Sequence, residues 1–198
     1  LGDLARFWRR AVGRPVIAIT GSSGKTTTKE MTAAILEQTF SVLKTEGNLN
    51  NLIGLPLTLL RMHRGHDLAL VELGTNARGE IKRLTEIAEP DIGLVTNIGP
   101  AHLEGLKTLE IIREEKGDLY GTMPKSGLAV FNADDEAMAP LRRSWQGKML
   151  TYGITSRADM TASDIAKWGE SGQSFTLNAG SESTVVHLSA FGMHNIYN

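Results

Sequence analysis

The chain has 198 residues, is 41% hydrophobic and carries a formal net charge of -1: enough apolar content for a sizeable core, and no electrostatic footprint for nucleic acid or an anionic membrane. With no cysteine, a disulfide scaffold and thiolate metal sites are excluded, which fits a cytosolic protein. No apolar stretch approaches the roughly 20 residues of a membrane span, and the opening "LGDLARFWRRAVGRP" lacks the charged-then-apolar order of a signal peptide. Small molecules are the expected partners. Starting without methionine and ending at "MHNIYN", the chain is expected to be a piece of something longer.

In chain order, short apolar runs alternate with helical patterns: "VIAIT" then "TTTKEMTAAILEQ", "LALVEL" then "GEIKRLTEIA", "IGLVTNI" then "LEIIREEKGDLY", "LAVFN" then "DDEAMAPLRR". Strands apolar on both faces, each followed by a helix, predict an α/β fold with a mostly parallel sheet flanked by helices. From about residue 159 to 190 the texture changes to "ADMTASDIAKW", "GQSFTLN" and "STVVHLSAF", divided by Gly, Ser, Asn and Glu turns. That predicts a small antiparallel β subdomain near the C-terminus, appended to the main sheet.

The first strand runs into "TGSSGKTTT". Gly24, Lys25 and Thr26 fill the last three positions of a phosphate loop, but the leading glycine of the usual spacing would fall on Ile19, so Gly21 must supply the tight turn. The physics survives the change. Backbone N–H groups between Gly21 and Gly24 can approach phosphates and the following helix adds its positive end, while Lys25 can reach terminal oxygens and the Thr26 hydroxyl can ligate Mg²⁺.

Ligands of open parallel sheets gather beyond the carboxyl ends of the strands. Those ends carry Glu72 and Asn76, Asn97 and His102, and Asn132, Asp134 and Asp135. Glu72 is placed like the acidic residue that holds nucleotide Mg²⁺, and His102, two residues before Glu104, is a possible metal ligand or an ordinary loop histidine. Asn48, Asn50 and Asn51, between Gly47 and Gly54, suit either a turn or a phosphate and amide contact. Lys116, among glutamates on "LEIIREEKGDLY", reads by itself as a surface lysine.

Taken together, "TGSSGKTTTKEM", "GNLNNLIGLPLTLL", "VELGTNARGEI", "PDIGLVTNIGPAHLEGL", "EEKGDLY", "NADDE" and "HNIYN" resemble the central ATP-binding domain of the Mur ligases, from about residue 15 to the last residue. The resemblance implies ATP and two Mg²⁺ ions as cofactors. Gly21, Ser22, Ser23, Gly24, Lys25, Thr26 and Thr27 would hold the phosphates, Thr26 and Glu72 the first Mg²⁺, and His102 and Lys116 the second, with Lys116 carbamylated by CO₂. Asn195 and Asn198 would lie near the adenine, and Asn48, Asn50 and Asn51 on the phosphate and substrate side. Lys25, Glu72, His102 and Lys116 are thus the expected catalytic set, and Lys116 ceases to be a surface residue. The sequence departs from the family pattern at Leu52, where an acidic residue is common, and at Glu115 and Asp118, where Ala and Glu are commoner.

The asparagine run and "GPAHLEG" point to a family member of peptidoglycan precursor synthesis that joins D-Ala-D-Ala to UDP-MurNAc-tripeptide through an acyl phosphate, in the bacterial cytoplasm and as a monomer. Residues 1–14 would then be a linker remnant from an N-terminal domain and residues 15–198 the ATP-binding domain, inactive as a ligase without its flanking domains. Other Mur-type or cyanophycin-type amide ligases, or a nucleotide-binding module without catalysis, remain the alternatives. A GTPase-like switch would need an Asn-Lys-x-Asp stretch to read guanine, and the sequence has none.

Overall fold

A computed structural model describes residues 1–100, 108–168, 170 and 172–198. Among these, the strands are β1 (Val16–Thr20), β2 (Val42–Lys44), β3 (Leu68–Glu72), β4 (Ile92–Val95), β5 (Leu128–Asn132), β6 (Lys148–Gly153), β7 (Met160–Trp168), β8 (Gly172–Ala179) and β9 (Glu182–Leu188). The helices are α1 (Gly2–Val12), α2 (Lys25–Leu36), α3 (Gly54–Leu60), α4 (Glu80–Ala88), α5 (Leu109–Thr122), α6 (Ala139–Ser144) and α7 (Met193–Tyr197), with a 3₁₀ turn at Glu136–Met138.

One sheet contains all these strands in the order β2-β3-β1-β4-β5-β6-β7-β8-β9. Neighbours from β2 to β7 run parallel, while β7, β8 and β9 pair antiparallel. The antiparallel strands are thus one end of the same sheet, joined to it by the parallel pairs Tyr152↔Met160 and Gly153↔Thr161.

The period of two along each strand divides the core. Val16 and Ala18 of β1 with Ala69 and Val71 of β3 face the larger cluster, into which Leu55, Leu59, Ile81, Leu84, Ile112 and Leu119 pack from α3, α4 and α5. Ile19, Leu68 and Leu70 face the other way, against Ala33 and Leu36 of α2. β3, covered on both sides, is buried at every position, which is why it reads as an unbroken apolar run. β1 lies between β3 and β4, where the chain switches from one side of the sheet to the other, so the crevice beyond its carboxyl end is the natural ligand position.

Three features differ from the sequence pattern. β2 is only three residues long and β6 is mostly exposed or half-buried, so neither shows a two-faced apolar run. "DDEAMAPLRR" opens as a 3₁₀ turn under the Asp135 side chain, which accepts from Ala137 N–H at 2.9 Å, before α6 begins. Segment 1–14 contains α1, which packs on α3 and α4. No helix among the described residues is long and apolar enough to cross a membrane.

α1 is fastened electrostatically at the end of α4. Arg6 and Arg10 both pair with Glu89, and Arg9 donates to the Ala88 carbonyl at 3.0 Å and to Asp91 at 2.9 Å. Hydrogen bonding from Arg10, then Arg6, outweighs burial and holds the Glu89 carboxyl down at about 2. A depressed carboxylate pKa stabilises the fold above the unfolded value of 4.5 and loses that contribution as pH falls from 4.5 through about 2. Because the arginines are 38% and 58% exposed, solvent screening reduces the effect to about 1–2 kcal/mol. Glu89→Gln should therefore be less stable than wild type in urea at pH 7, and the gap should shrink by pH 3. An equal gap at both pH values would show that the ion pairs contribute nothing.

Candidate phosphate-loop site

β1 ends at Thr20 and α2 starts at Lys25, with four residues between them. The turn between them needs glycine twice. Gly21 sits at φ 144° and Gly24 at φ 77°; a Cβ on the first would overlap the Thr96 hydroxyl, and on the second the Asn198 side-chain amide. The end of β4 grips the turn. Ser22 N–H donates to the Asn97 carbonyl at 3.0 Å, Ser23 N–H to Asn97 Oδ1 at 3.1 Å, and Asn97 Nδ2 and the Thr96 hydroxyl donate to the Ser23 carbonyl at 3.0 and 2.6 Å. Asn97 is therefore a brace for the loop. α2 carries no acidic residue in its first turn, leaving its positive end uncompensated beneath the turn. Lys25 arches back, its Nζ donating to the Gly21 carbonyl at 2.9 Å, and burial lowers its pKa against the opposing pull of Glu72.

Glu72, the last residue of β3, is 2% exposed. Its Oε2 accepts from the Thr26 hydroxyl and its Oε1 from Asn50 Nδ2, both at 2.8 Å, while its own N–H donates to Thr45 Oγ1 at 3.0 Å. Thr26 and Glu72 thus bring hard oxygens together at the mouth of the loop, a donor set that fits Mg²⁺. Behind them lies a link that sequence reasoning passed over. Lys29, one turn along α2, is wholly buried; its Nζ donates to the Thr45 carbonyl at 2.6 Å and pairs with Glu30 at 2.9 Å. Lys29 and Thr45 tie α2, the start of the asparagine run and the backbone of Glu72 together.

The three asparagines divide their work. Asn50 holds Glu72 and accepts Gly74 N–H on its carbonyl at 2.7 Å. Asn51 Oδ1 accepts from Ile53 and Gly54 N–H at 3.0 and 2.9 Å, organising the entrance of α3. Asn48 is exposed. All three border, with Lys25, Asn76 and Glu80, a cavity of about 240 Å³.

Lys116 overturns its reading as a surface lysine. α5 buries Ile112, Glu115, Lys116, Gly117, Leu119 and Tyr120, so this side of the helix is interior. Lys116 is 0% exposed, and its Nζ is the buried side-chain nitrogen among the described residues that has no hydrogen-bond partner. Burial first, then the charge of Lys25, push its pKa down to about 8, against the pull of Glu115 and Glu80. Those carboxylates are committed to backbone: Glu115 accepts from Gly79 and Ile81 N–H at 2.6 and 2.8 Å, Glu80 from Asn76 N–H at 2.7 Å. An ammonium cannot ligate a cation; a carbamate on the same nitrogen would present hard anionic oxygens. His102 and Glu104 lie outside the described residues.

On the other side of the loop, a cavity of about 300 Å³ is bounded by Gly24, Thr27, Asn97 and Asn132 and by Asn195 and Asn198 of the C-terminal segment. Asn198 Oδ1 accepts from the Thr28 hydroxyl at 3.3 Å. Of the other polar strand ends, Asp135 accepts from Ile98 N–H at 2.8 Å and Asp134 from Ile154, Thr155 and Ser156 N–H, so both aspartates serve the backbone. A further depression of about 620 Å³ between Thr151, Asp159 and Asn178 lies at the antiparallel end and gathers none of these groups.

A parallel α/β sheet with a glycine turn, a helix dipole and an acidic residue at the next strand end defines a phosphate-loop protein. The chain belongs to the Mur ligase family: residues 19–198 match the Mur ligase middle domain. The whole chain aligns with the UDP-N-acetylmuramoyl-tripeptide--D-alanyl-D-alanine ligase of Escherichia coli at 40% identity, covering 44% of that protein, and with its Haemophilus influenzae counterpart at 39%, again covering 44%. Among solved structures, MurF from Acinetobacter baumannii superposes with a TM-score of 0.93 at 34% identity, over 99% of this chain and 43% of that one. MurF from Thermotoga maritima in complex with ADP gives 0.88 at 32%, over 99% and 46%. The chain thus spans less than half the length of these relatives.

Proposed function

We propose that residues 15–198 are the ATP-binding domain of an ADP-forming ligase that joins D-Ala-D-Ala to UDP-MurNAc-tripeptide in bacterial peptidoglycan synthesis. The names of the relatives and the ADP complex of one of them support this reading. The observation that carries it beyond nucleotide binding is the buried, unpartnered amine of Lys116, near enough to Lys25 to feel its charge; a plain binder has no use for it.

In this reading Lys25 exchanges the Gly21 carbonyl for terminal phosphate oxygens, and the N–H groups of the turn and of α2 hold the rest. The tripeptide carboxylate attacks the γ-phosphorus, the bond to ADP breaks, and the dipeptide amine then displaces phosphate from the acyl phosphate. Thr26 and Glu72 would hold Mg²⁺, which when bound would supply neutralisation of charge on the transferring group. Lys116 would first give up its ammonium proton; the free amine would then bond to the carbon of CO₂ as a second N–H proton leaves to solvent, giving a carbamate that, with His102, would hold a second ion. At a pKa of about 8, about one amine in ten is neutral at pH 7, against roughly one in three thousand for an ordinary lysine. Flanking domains would grip the UDP-sugar and close over ATP, with the enzyme acting as a cytoplasmic monomer.

ADP release by the full-length protein tests the assignment. D-Ala-D-Ala should drive turnover and L-Ala, D-Glu or diaminopimelate should not; the reverse pattern would transfer the protein to another amide-ligase specificity. The 198-residue chain alone should show no dipeptide-dependent release.

A further inference from the structure

Asp134 and Tyr197 form a pair that the site described so far does not use. The Tyr197 hydroxyl donates to Asp134 Oδ2 at 2.8 Å. That carboxylate is already fixed: Oδ2 accepts from Ile154 and Thr155 N–H at 2.5 and 3.0 Å, and Oδ1 from Ser156 N–H at 2.6 Å. It follows Asn132 by two residues, and its own N–H donates to Asn132 Oδ1 at 2.9 Å. Tyr197 belongs to α7, which has five residues, too few to hold a helical geometry without tertiary ties. Other side-chain ties of this segment are long or neutral, Thr28 to Asn198 at 3.3 Å and Gln173 Nε2 to the Gly192 carbonyl at 3.1 Å. The bond to Asp134 joins a short donor to an ionised, immobilised acceptor, the stronger kind of hydrogen bond.

With Asn97 and Asn132, Tyr197 also borders both the 300 Å³ cavity beside the loop and a neighbouring hollow of about 370 Å³ that holds Asp134 and Asp135, so it forms part of the wall between them. Asn195 and Asn198 stand on its two sides in sequence, and Asn198 abuts Gly24 closely enough that a Cβ there would collide with it.

We infer that Tyr197, anchored on Asp134, is a positioning residue for the base side of the nucleotide site, setting where Asn195 and Asn198 stand relative to the phosphate loop. The inference rests on the nucleotide reading above. Protonation agrees with these roles: burial first, then Asp134, push the Tyr197 phenol up to about 12. Against burial, the N–H groups of Ile154 and Thr155 keep the Asp134 carboxyl below the ordinary range. Donor and acceptor therefore keep their states through neutral pH.

Tyr197→Phe removes one oxygen and leaves the aromatic wall. In the full-length protein, ADP and pyrophosphate binding should be measured by calorimetry with Mg²⁺, together with KM and kcat for ATP. The variant should bind ADP about fivefold to tenfold more weakly, keep pyrophosphate within about twofold, and raise KM for ATP with kcat nearly unchanged. A general loosening of the fold would weaken both ligands alike; that result, or unchanged ADP affinity, overturns the inference. If wild-type protein takes up neither ligand, the nucleotide reading itself falls, and the inference with it.

Discussion

Lys116→Met should make the chain more stable and the full-length enzyme inactive. The ammonium is wholly buried without a partner, and the fall of its pKa from 10.5 to about 8 corresponds to about 3 kcal/mol. Between pH 8 and 10.5 the unfolded chain holds a proton that the folded chain has released, so stability rises with pH across that window. Below about 8 both states are protonated and the full penalty applies. A methionine of similar shape removes it. In CO₂-free buffer at pH 7 the variant should gain about 2–3 kcal/mol, roughly 5–10 °C in melting temperature, with the gain fading as pH approaches 10.5. Ligation should meanwhile fall by about two orders of magnitude or more, as expected when a group that serves charge on the transferring phosphoryl is removed. Lys116→Ala adds a chemical check, because partial rescue by formate or acetate would support the carbamate. Full activity in either variant would remove Lys116 from the mechanism.

Gly21→Ala should cost both stability and nucleotide binding. The new methyl would overlap the Thr96 hydroxyl, stand 3.0 Å from Thr96 N and force a side chain onto φ 144°. Thr96 cannot retreat cheaply, since its hydroxyl holds the Ser23 carbonyl at 2.6 Å. A loss of about 2–3 kcal/mol is expected, and ADP affinity should drop by about a hundredfold as the N–H groups of the turn move off their aim. Adding Thr96→Ala should recover part of the stability by relieving the overlap, but little of the binding, because the backbone strain remains. An unchanged melting temperature with full ADP affinity would mean that the turn is far softer than its contacts imply.

The parts of the fold that sequence made legible are those whose burial is complete. β1 and β3 are apolar on both faces because helices cover both, and the turn after β1 needs glycine where φ is positive and neighbours are close. β2 and β6 were missed because neither is long and apolar enough to leave a signature. At the site, Glu72 could be read from its place at a strand end. The burial of Lys116 could not, since its glutamate neighbours mimic a solvated face and only the packing of α5 on α4 turns it inward. Lys29 likewise looks like an ordinary helical lysine until Thr45 is brought over it. Asp134 has the residue type of a ligand, yet three backbone N–H groups claim it. Tyr197 carried no local signal, because its partner lies 63 residues away.

The junction of β6 with β7 is a seam in the sheet's cooperativity. Two registered pairs join the parallel part to the antiparallel end, whereas β7 and β8 share pairs along most of their length. The two parts can therefore open with different free energies. Residues 154–156, which lock Asp134 in place, sit in the connection across that seam. Fraying of the antiparallel end would thus release Asp134 without any residue of the phosphate loop having to move, so the local opening energy of β7–β9 sets a ceiling on how firmly the proposed base side of the site is held.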